Sequence, residues 1–141
     1  FQDLEQKNSA IVSYKKAIEI SPNYPEAHNN LGNIFRDTGD LKASIESFEW
    51  AIAYKHDFAE AHNKLATVLF LMEDYEGAIK ECEVTLEMNL NHFGAWHGKG
   101  LCLYKVARYS EAIESFKSAL EIQPYADINR VYIATCMGNL N

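Results

Sequence analysis

Small and apolar residues recur along the chain with the spacing of amphipathic helices. Leu31 and Phe35 are one helical turn apart, and Ser44 and Phe48 have the same separation, so each of these stretches carries one stripe for burial. Runs of residues that favour strands are few, whereas alanine, leucine, isoleucine, glutamate and lysine are common. The pattern therefore predicts an all-α chain in which every helix buries one side.

The stripes belong to a longer period of 34 residues, which aligns the segments 25–58, 59–92 and 93–126 without an insertion. A large flat side chain recurs at the fourth place of each segment and a small residue at the eighth. The second half of each segment then repeats a small, a larger and a small residue. The aligned columns are His28, His62 and Trp96; Gly32, Ala66 and Gly100; Ser44, Ala78 and Ala112; Phe48, Cys82 and Phe116; Ala51, Thr85 and Ala119. A fixed period of this length indicates a stacked repeat architecture.

Incomplete repeats flank the three complete ones. Residues 1–24 carry the second-half pattern, with a helix expected at about Glu5–Ile20, and residues 127–141 carry a first helix at about Asp127–Asn139. Phe1 would then lie inside a missing first helix, and neither end has the polar cap that solenoids usually have. We expect a fragment of a longer protein, or a chain whose ends associate with neighbouring molecules.

The turns inside the repeats differ in quality. Thr38, Gly39 and Asp40 form a strong break between two helices, with Asp40 as the expected N-cap. The same turn holds Glu73-Asp74 in the second repeat and Ala107-Arg108 in the third, and both pairs are poorer turn formers.

With its 34-residue period and its W-x2-L-G…A-x3-F…A…P spacing, the chain resembles the tetratricopeptide repeat family over essentially its whole length. The resemblance implies a right-handed α-solenoid of antiparallel helix pairs. Lys99 replaces the usual leucine at the seventh place of the third repeat, so we expect Leu101 or Leu103 to take over its burial. His56 and Leu90 replace the closing proline.

In that family the first helix of each repeat lines a concave groove that holds a protein or peptide partner. The resemblance implies a groove that is rich in side-chain amides at its N-terminal part and more apolar and aromatic at its C-terminal part. The expected partner-binding residues are Asn29, Asn30, Asn33, Arg36, Asn63, Lys64, Thr67, Phe70, His97, Leu101, Tyr104, Lys105 and Tyr132. Amides can bind the backbone of an extended chain, and aromatic groups can select its side chains.

Two subtypes of the family can be tested on single residues. The carboxylate clamp of co-chaperones needs lysine where Asn29 stands, so this clamp looks absent although Asn33 fits one of its places. The segment from Pro25 loosely resembles the superhelical arrays of O-GlcNAc transferases, because Asn30 matches their inner asparagines. Lys64 and Gly98 interrupt that row.

Three functions therefore remain open. The chain is a protein-binding module or scaffold, a substrate-recruiting segment of a larger, glycosyltransferase-like enzyme, or a structural array that self-associates through its uncapped ends.

Composition narrows the classes of partner. Twenty acidic against 13 basic residues give a net charge of −7, which disfavours nucleic acid as the main partner. No apolar run approaches the ~20 residues of a membrane span, so no membrane association is expected. The three cysteines make no even disulfide set and no C-x-x-C pair; they are expected to be small buried residues of an intracellular, cytoplasmic protein.

No pattern of a catalytic, cofactor or metal site emerges. The segment 94–100 lacks the spacing and the Ser or Thr of a phosphate-binding loop. His28 and His62 are one repeat apart, too far to share an ion at ~2 Å ligand distances, and packing explains them better. Glutamates such as Glu46 and Glu81 are expected on solvated faces. The chain is therefore predicted to be non-catalytic, without cofactor or metal.

Overall fold

The computed structural model describes residues 2–141, so the place expected for Phe1 lies outside the described residues. Within this range the chain is all helical, as predicted, and the helix bounds agree with the sequence pattern to within a few residues. The helices are α1 (Gln2–Ile20), α2 (Pro25–Thr38), α3 (Leu41–Tyr54), α4 (Ala59–Leu71), α5 (Tyr75–Met88), α6 (Phe93–Lys105), α7 (Tyr109–Ile122) and α8 (Asp127–Leu140). In residues 2–141 no helix combines the length and the apolarity needed to cross a membrane.

The helices pack as a stack of hairpins. α2 packs on α3, α4 on α5, and α6 on α7, and each hairpin also contacts the next helix along the chain. The first helices α2, α4 and α6 additionally contact one another in turn. They therefore form one continuous layer, and because helices are closest together on the inside of a curve, this layer is the concave side of the solenoid.

Aspartates cap the second helices α3 and α5, and residues with a left-handed backbone conformation follow the first helices. The Asp40 carboxylate accepts a hydrogen bond from the Ala43 amide at 3.1 Å, as predicted, and Asp74 does the same for the Gly77 amide at 3.0 Å. Gly39 has φ 86° and no Cβ to oppose it. The equivalent Glu73 and Ala107 have φ 62° and 61°, a region that non-glycine residues occupy at a cost. Glu73 and Ala107 are therefore poorer than Gly39 at this position, as expected, whereas Asp74 caps its helix as Asp40 does and Arg108 makes no side-chain cap.

The eighth place is small because a ring lies against it. A Cβ added to Gly32 would lie 2.7 Å from Cε1 of Phe48, and one added to Gly100 would lie 2.6 Å from Cε1 of Phe116. Both phenylalanines are fully buried, which stabilises the fold by about 1.5–3 kcal/mol for each ring. Because glycine has no side chain, the two helices of a hairpin can pack closely, with the phenylalanine ring of the second helix lying directly against the glycine of the first.

The substitution at the seventh place is compensated as expected. Leu103 is fully buried, and Lys99 instead directs its Nζ to Oε1 of Glu83 at 3.0 Å. The helix α6 continues through this position without a break.

All three cysteines are buried and free, as predicted. Burial raises the pKa of Cys82 and that of Cys102 to about 12, so both thiols are neutral at physiological pH and poorly nucleophilic.

His28 and His62, which occupy the same place in two repeats, hold their helices to neighbouring segments. Nε2 of His28 lies 3.0 Å from the Pro22 carbonyl oxygen, and Nδ1 of His62 lies 2.6 Å from Oε2 of Glu81. The expectation of a solvated Glu81 was wrong, because its carboxylate is partly buried against this ring. In residues 2–141 no three histidine, cysteine or carboxylate side chains are grouped to hold a metal ion.

Candidate binding groove

The inner layer of α2, α4 and α6, together with α8, which contacts α6 through His97, carries every residue that the sequence assigned to partner binding. On α2, however, Asn29 is only 6% exposed. Oδ1 of Asn29 and Oδ1 of Asn33 are both buried without a hydrogen-bond partner in residues 2–141. Asn30 is more accessible, and Arg36 bonds its neighbour Asp37 at 2.9 Å. Asn30 is therefore the amide of this end that is best placed to contact a partner.

Between α4 and α6 the groove opens into a cavity of about 230 Å³. Five of the expected binding residues line it, together with two glycines of α6 and a floor of small or thiol-bearing residues. The lining residues are Asn63, Ala66, Thr67, Phe70, Cys82, Gly94, His97, Gly98, Leu101 and Cys102. None of these side chains is a carboxylate, a lysine or an arginine, so the cavity is largely apolar with a few neutral polar groups.

The cavity exists because α6 lacks two side chains on its inner side. Gly94 and Gly98 are one turn apart and both border the cavity. A Cβ on Gly98 would meet Sγ of Cys82 at 3.5 Å, and a Cβ on Gly94 would meet Nδ2 of Asn63 at 3.4 Å. These are ordinary or slightly tight contacts. Small side chains could therefore be accommodated at both glycines, and their absence leaves space.

His97 forms one wall of the cavity and is held in a fixed orientation. Its ring stacks on Phe93 with a centroid separation of 5.8 Å and an interplanar angle of 5°. Nδ1 lies 2.6 Å from Oδ1 of Asn129, a fully buried side chain. Nδ1–H therefore donates to the amide oxygen, which leaves Nε2 as the hydrogen-bonding atom. Within residues 2–141 Nε2 has no hydrogen-bond partner, and the residue is partly exposed.

Tyr104 and Tyr132 lie beside the cavity rather than in its lining. Tyr132 stacks on Phe116 at 5.2 Å and 13°, and Tyr104 contacts Tyr132 edge-on at 5.5 Å. Both rings therefore support the packing of α6, α7 and α8 in addition to any role at the surface.

Lys64 and Lys105 form no ion pair within the described residues 2–141, and Lys105 is exposed. Both cations are thus available on the inner layer of the solenoid.

Comparison with known proteins identifies the repeat. Family models described as TPR repeat match residues 3–35 and 32–73, which together make up half of the chain, and a model described as tetratricopeptide repeat matches residues 94–125. The chain belongs to the tetratricopeptide repeat family. No curated protein matches its sequence.

Solved structures share the fold of this tetratricopeptide array. MamA superposes with a TM-score of 0.92 at 23% identity, over 98% of this chain and 81% of MamA. YrrB, described as a TPR protein with an unusual peptide-binding site, gives 0.85 at 22% identity, over 98% and 71%. The first TPR of Spaghetti (RPAP3), bound to the HSP90 peptide SRMEEVD, gives 0.81 at 15% identity, over 82% and 92%. At these identities the likeness shows a shared α-solenoid fold.

Sequence reasoning missed part of the tetratricopeptide groove. It assigned Cys82 only to the core, although this cysteine stands in the column of Phe48 and Phe116, and a small residue there signals missing volume. It also overlooked Asn129, which stands at the third place of its repeat where the complete repeats have alanine. A buried amide in an alanine column needs partners; His97 bonds its oxygen, while its Nδ2 is buried without a partner within residues 2–141.

Proposed function

We propose that the chain is a protein-interaction module that holds a peptide or an extended protein segment in the groove of α2, α4, α6 and α8. The observation that carries this proposal is the cavity between α4 and α6, which lies on the inner layer and combines an apolar floor with a few neutral polar groups. Concave, mostly apolar sites with few polar groups are typical of ligand recognition.

Accessible polar groups along the groove support an extended ligand. Asn30 can both donate to and accept from a peptide backbone, while Lys64 and Lys105 can donate to backbone carbonyls or to carboxylates. The peptide-bound Spaghetti repeat and the peptide-binding YrrB share this fold, which is support by analogy alone.

The proposal assigns no catalytic residue to the described residues 2–141. The largest pKa shifts here belong to Cys82 and Cys102, and burial moves both upwards. An upward shift makes a thiol a weaker nucleophile at neutral pH, so these shifts suit a packing role.

The test is affinity capture with matched baits. The groove variant combines Asn30→Ala, Lys64→Ala and Lys105→Ala, which removes one amide and two lysines from the inner layer. We expect a protein retained by the unmodified chain to be lost, or reduced at least tenfold, with this bait. Tyr104 is left intact because it packs against Tyr132.

The control variant combines Lys42→Ala, Lys80→Ala and Gln123→Ala, three exposed residues of the second-helix side. It removes the same kinds of group and is expected to retain the partner. Both variants are first shown to be folded by circular dichroism. Equal capture by the groove and control variants would contradict the proposal.

A further inference from the structure

The cavity between α4 and α6 corresponds to a place that is filled one repeat further along. Gly98 is the sixth residue of α6, and Tyr132 is the sixth residue of α8. Cys82 is the eighth residue of α5, and Phe116 is the eighth residue of α7. Phe116 and Tyr132 stack with centroids 5.2 Å apart and rings 13° from parallel. At the equivalent junction of α5 and α6, the thiol of Cys82 replaces the phenylalanine ring, and the hydrogen atom of Gly98 replaces the tyrosine side chain.

The space left by this replacement is large enough for a ring. The cavity has a volume of about 230 Å³, whereas a cavity of roughly 150 Å³ in another protein already binds benzene. It is smaller than the roughly 300–1,000 Å³ of sites that hold whole small molecules or cofactors. Its size therefore fits one large side chain.

The lining selects an uncharged aromatic group. No carboxylate, lysine or arginine borders the cavity, so a charged side chain inserted here would lose its hydration without gaining an ionic partner. Phe70 offers a ring for edge-on contact, and the sulfur atoms of Cys82 and Cys102 make favourable contacts with aromatic rings.

We propose that this cavity is the anchor site for one uncharged aromatic side chain, phenylalanine or tyrosine, of the bound peptide. The inserted ring takes the place beside Cys82 that Tyr132 occupies beside Phe116. This inference rests on the proposed function, since the ring is presented by a peptide lying in the groove.

Polar groups of the lining hold the backbone next to the anchor. Nε2 of His97 accepts a hydrogen bond from a peptide N–H, because Asn129 fixes the proton on Nδ1. Asn63 on the opposite helix makes no side-chain hydrogen bond within residues 2–141, so its amide can bond the next peptide group. The two contacts bracket the point at which the aromatic side chain enters.

The test uses a defined probe, N-acetyl-phenylalanine N-methylamide, titrated into the 15N-labelled chain. We expect saturable shifts of the amide resonances of Gly94, Gly98 and Cys102, with a dissociation constant in the millimolar range, as befits one side chain. The N-acetyl-alanine and N-acetyl-lysine N-methylamides should cause at least tenfold smaller shifts at the same concentration. Equal shifts from all three probes would overturn the inference.

Filling the cavity provides the matched variants. Gly98→Tyr places the residue of the α8 junction in α6 and should abolish the saturable shifts. Gly98→Ala, whose Cβ meets Sγ of Cys82 at an ordinary 3.5 Å, should weaken binding several-fold and keeps the test valid if the tyrosine variant does not fold. Gly138→Tyr, at a helical glycine with open space around it, should bind the probe normally. Unchanged probe binding by folded Gly98→Tyr would overturn the inference.

The probe and the capture experiment separate the two proposals. Loss of a captured partner with the groove variant, together with failure of the probe, overturns the aromatic anchor and leaves the groove function standing. Binding of the probe at Gly98, together with equal partner capture by the groove and control variants, supports the cavity chemistry and overturns the groove function.

Discussion

The outer two hairpins and the middle hairpin of this solenoid share one backbone pattern but fill it differently. In the hairpins α2–α3 and α6–α7, a glycine faces a fully buried phenylalanine. In the hairpin α4–α5, the same places hold Ala66 and Cys82. The single methyl group gained at Ala66 therefore does not replace the ring that is absent at Cys82, and the middle hairpin borders a cavity.

At the position of Phe48, Cys82 and Phe116, a large side chain stabilises the hairpin, whereas a small one leaves space for a ligand. A buried ring closes the junction to the next repeat, as Phe116 does by stacking on Tyr132. A thiol leaves the junction open to a ring from another molecule. The following predictions test this contrast, from the largest expected effect to the smallest.

Removing a ring from an outer hairpin should be far more damaging than shortening the cysteine of the middle hairpin. Phe116→Ala should lower the free energy of unfolding by about 3–5 kcal/mol, because it removes buried surface and leaves a void. Cys82→Ala should lower it by about 1 kcal/mol, since the neighbouring space is already open. Equilibrium denaturation followed by circular dichroism measures both, and equal losses would contradict the contrast.

Adding one methyl group should have opposite effects at two glycines of α6 that are only two residues apart. Gly100→Ala places a Cβ 2.6 Å from the Phe116 ring, and this overpacking should destabilise the chain by about 1–3 kcal/mol. Gly98→Ala meets only Sγ of Cys82 at 3.5 Å and should stabilise α6 by up to about 1 kcal/mol through helix propensity. Thermal unfolding compares the pair, and stabilisation by both changes would show that the ring can move aside.

Giving the middle hairpin the glycine and phenylalanine of the outer hairpins tests directly whether these two side chains determine the cavity. Cys82→Phe alone should destabilise the chain, because its ring would meet the Cβ of Ala66. Adding Ala66→Gly should relieve that contact, giving a favourable coupling of about 0.5–3 kcal/mol in a double-mutant cycle. The double variant should also exclude the phenylalanine probe from the cavity. Additive effects of the two changes would mean that the cavity can absorb the ring without help from position 66.

Repetition made the fold readable from the sequence, whereas the cavity depends on three helices at once. The period aligned Gly32 with Ala66 and Gly100, and it predicted the helices, because the same local structure recurs in each repeat. The space around Gly98 depends jointly on Cys82 of α5 and on the helix α4. Likewise, the side chain of Asn29 belongs to the groove by its position in the repeat, yet tertiary packing buries it to 6% exposure. A single column, such as the one that holds Cys82, signals missing volume but does not show which neighbouring side chains leave that space open.

The turns within the first two complete repeats also differ, and the smallest change in stability is expected there. Gly39 serves the first complete repeat at φ 86°, but Glu73 holds φ 62° with a side chain. Glu73→Gly should stabilise the chain by about 0.5–1 kcal/mol, since relief of about 1–2 kcal/mol of left-handed strain exceeds the entropic cost of glycine.

The same change at Glu87, an exposed residue inside α5, provides the control. There, Glu87→Gly should destabilise the chain by about 0.5–1 kcal/mol, because glycine weakens a regular helix and relieves no strain. Denaturation midpoints measured in parallel should therefore move in opposite directions for the two variants. A loss of stability with Glu73→Gly would mean that the Glu73 side chain contributes more to the turn than its backbone strain removes. The geometry of the first two turns would then be set by Asp40 and Asp74 at the helix starts rather than by the left-handed residue before them.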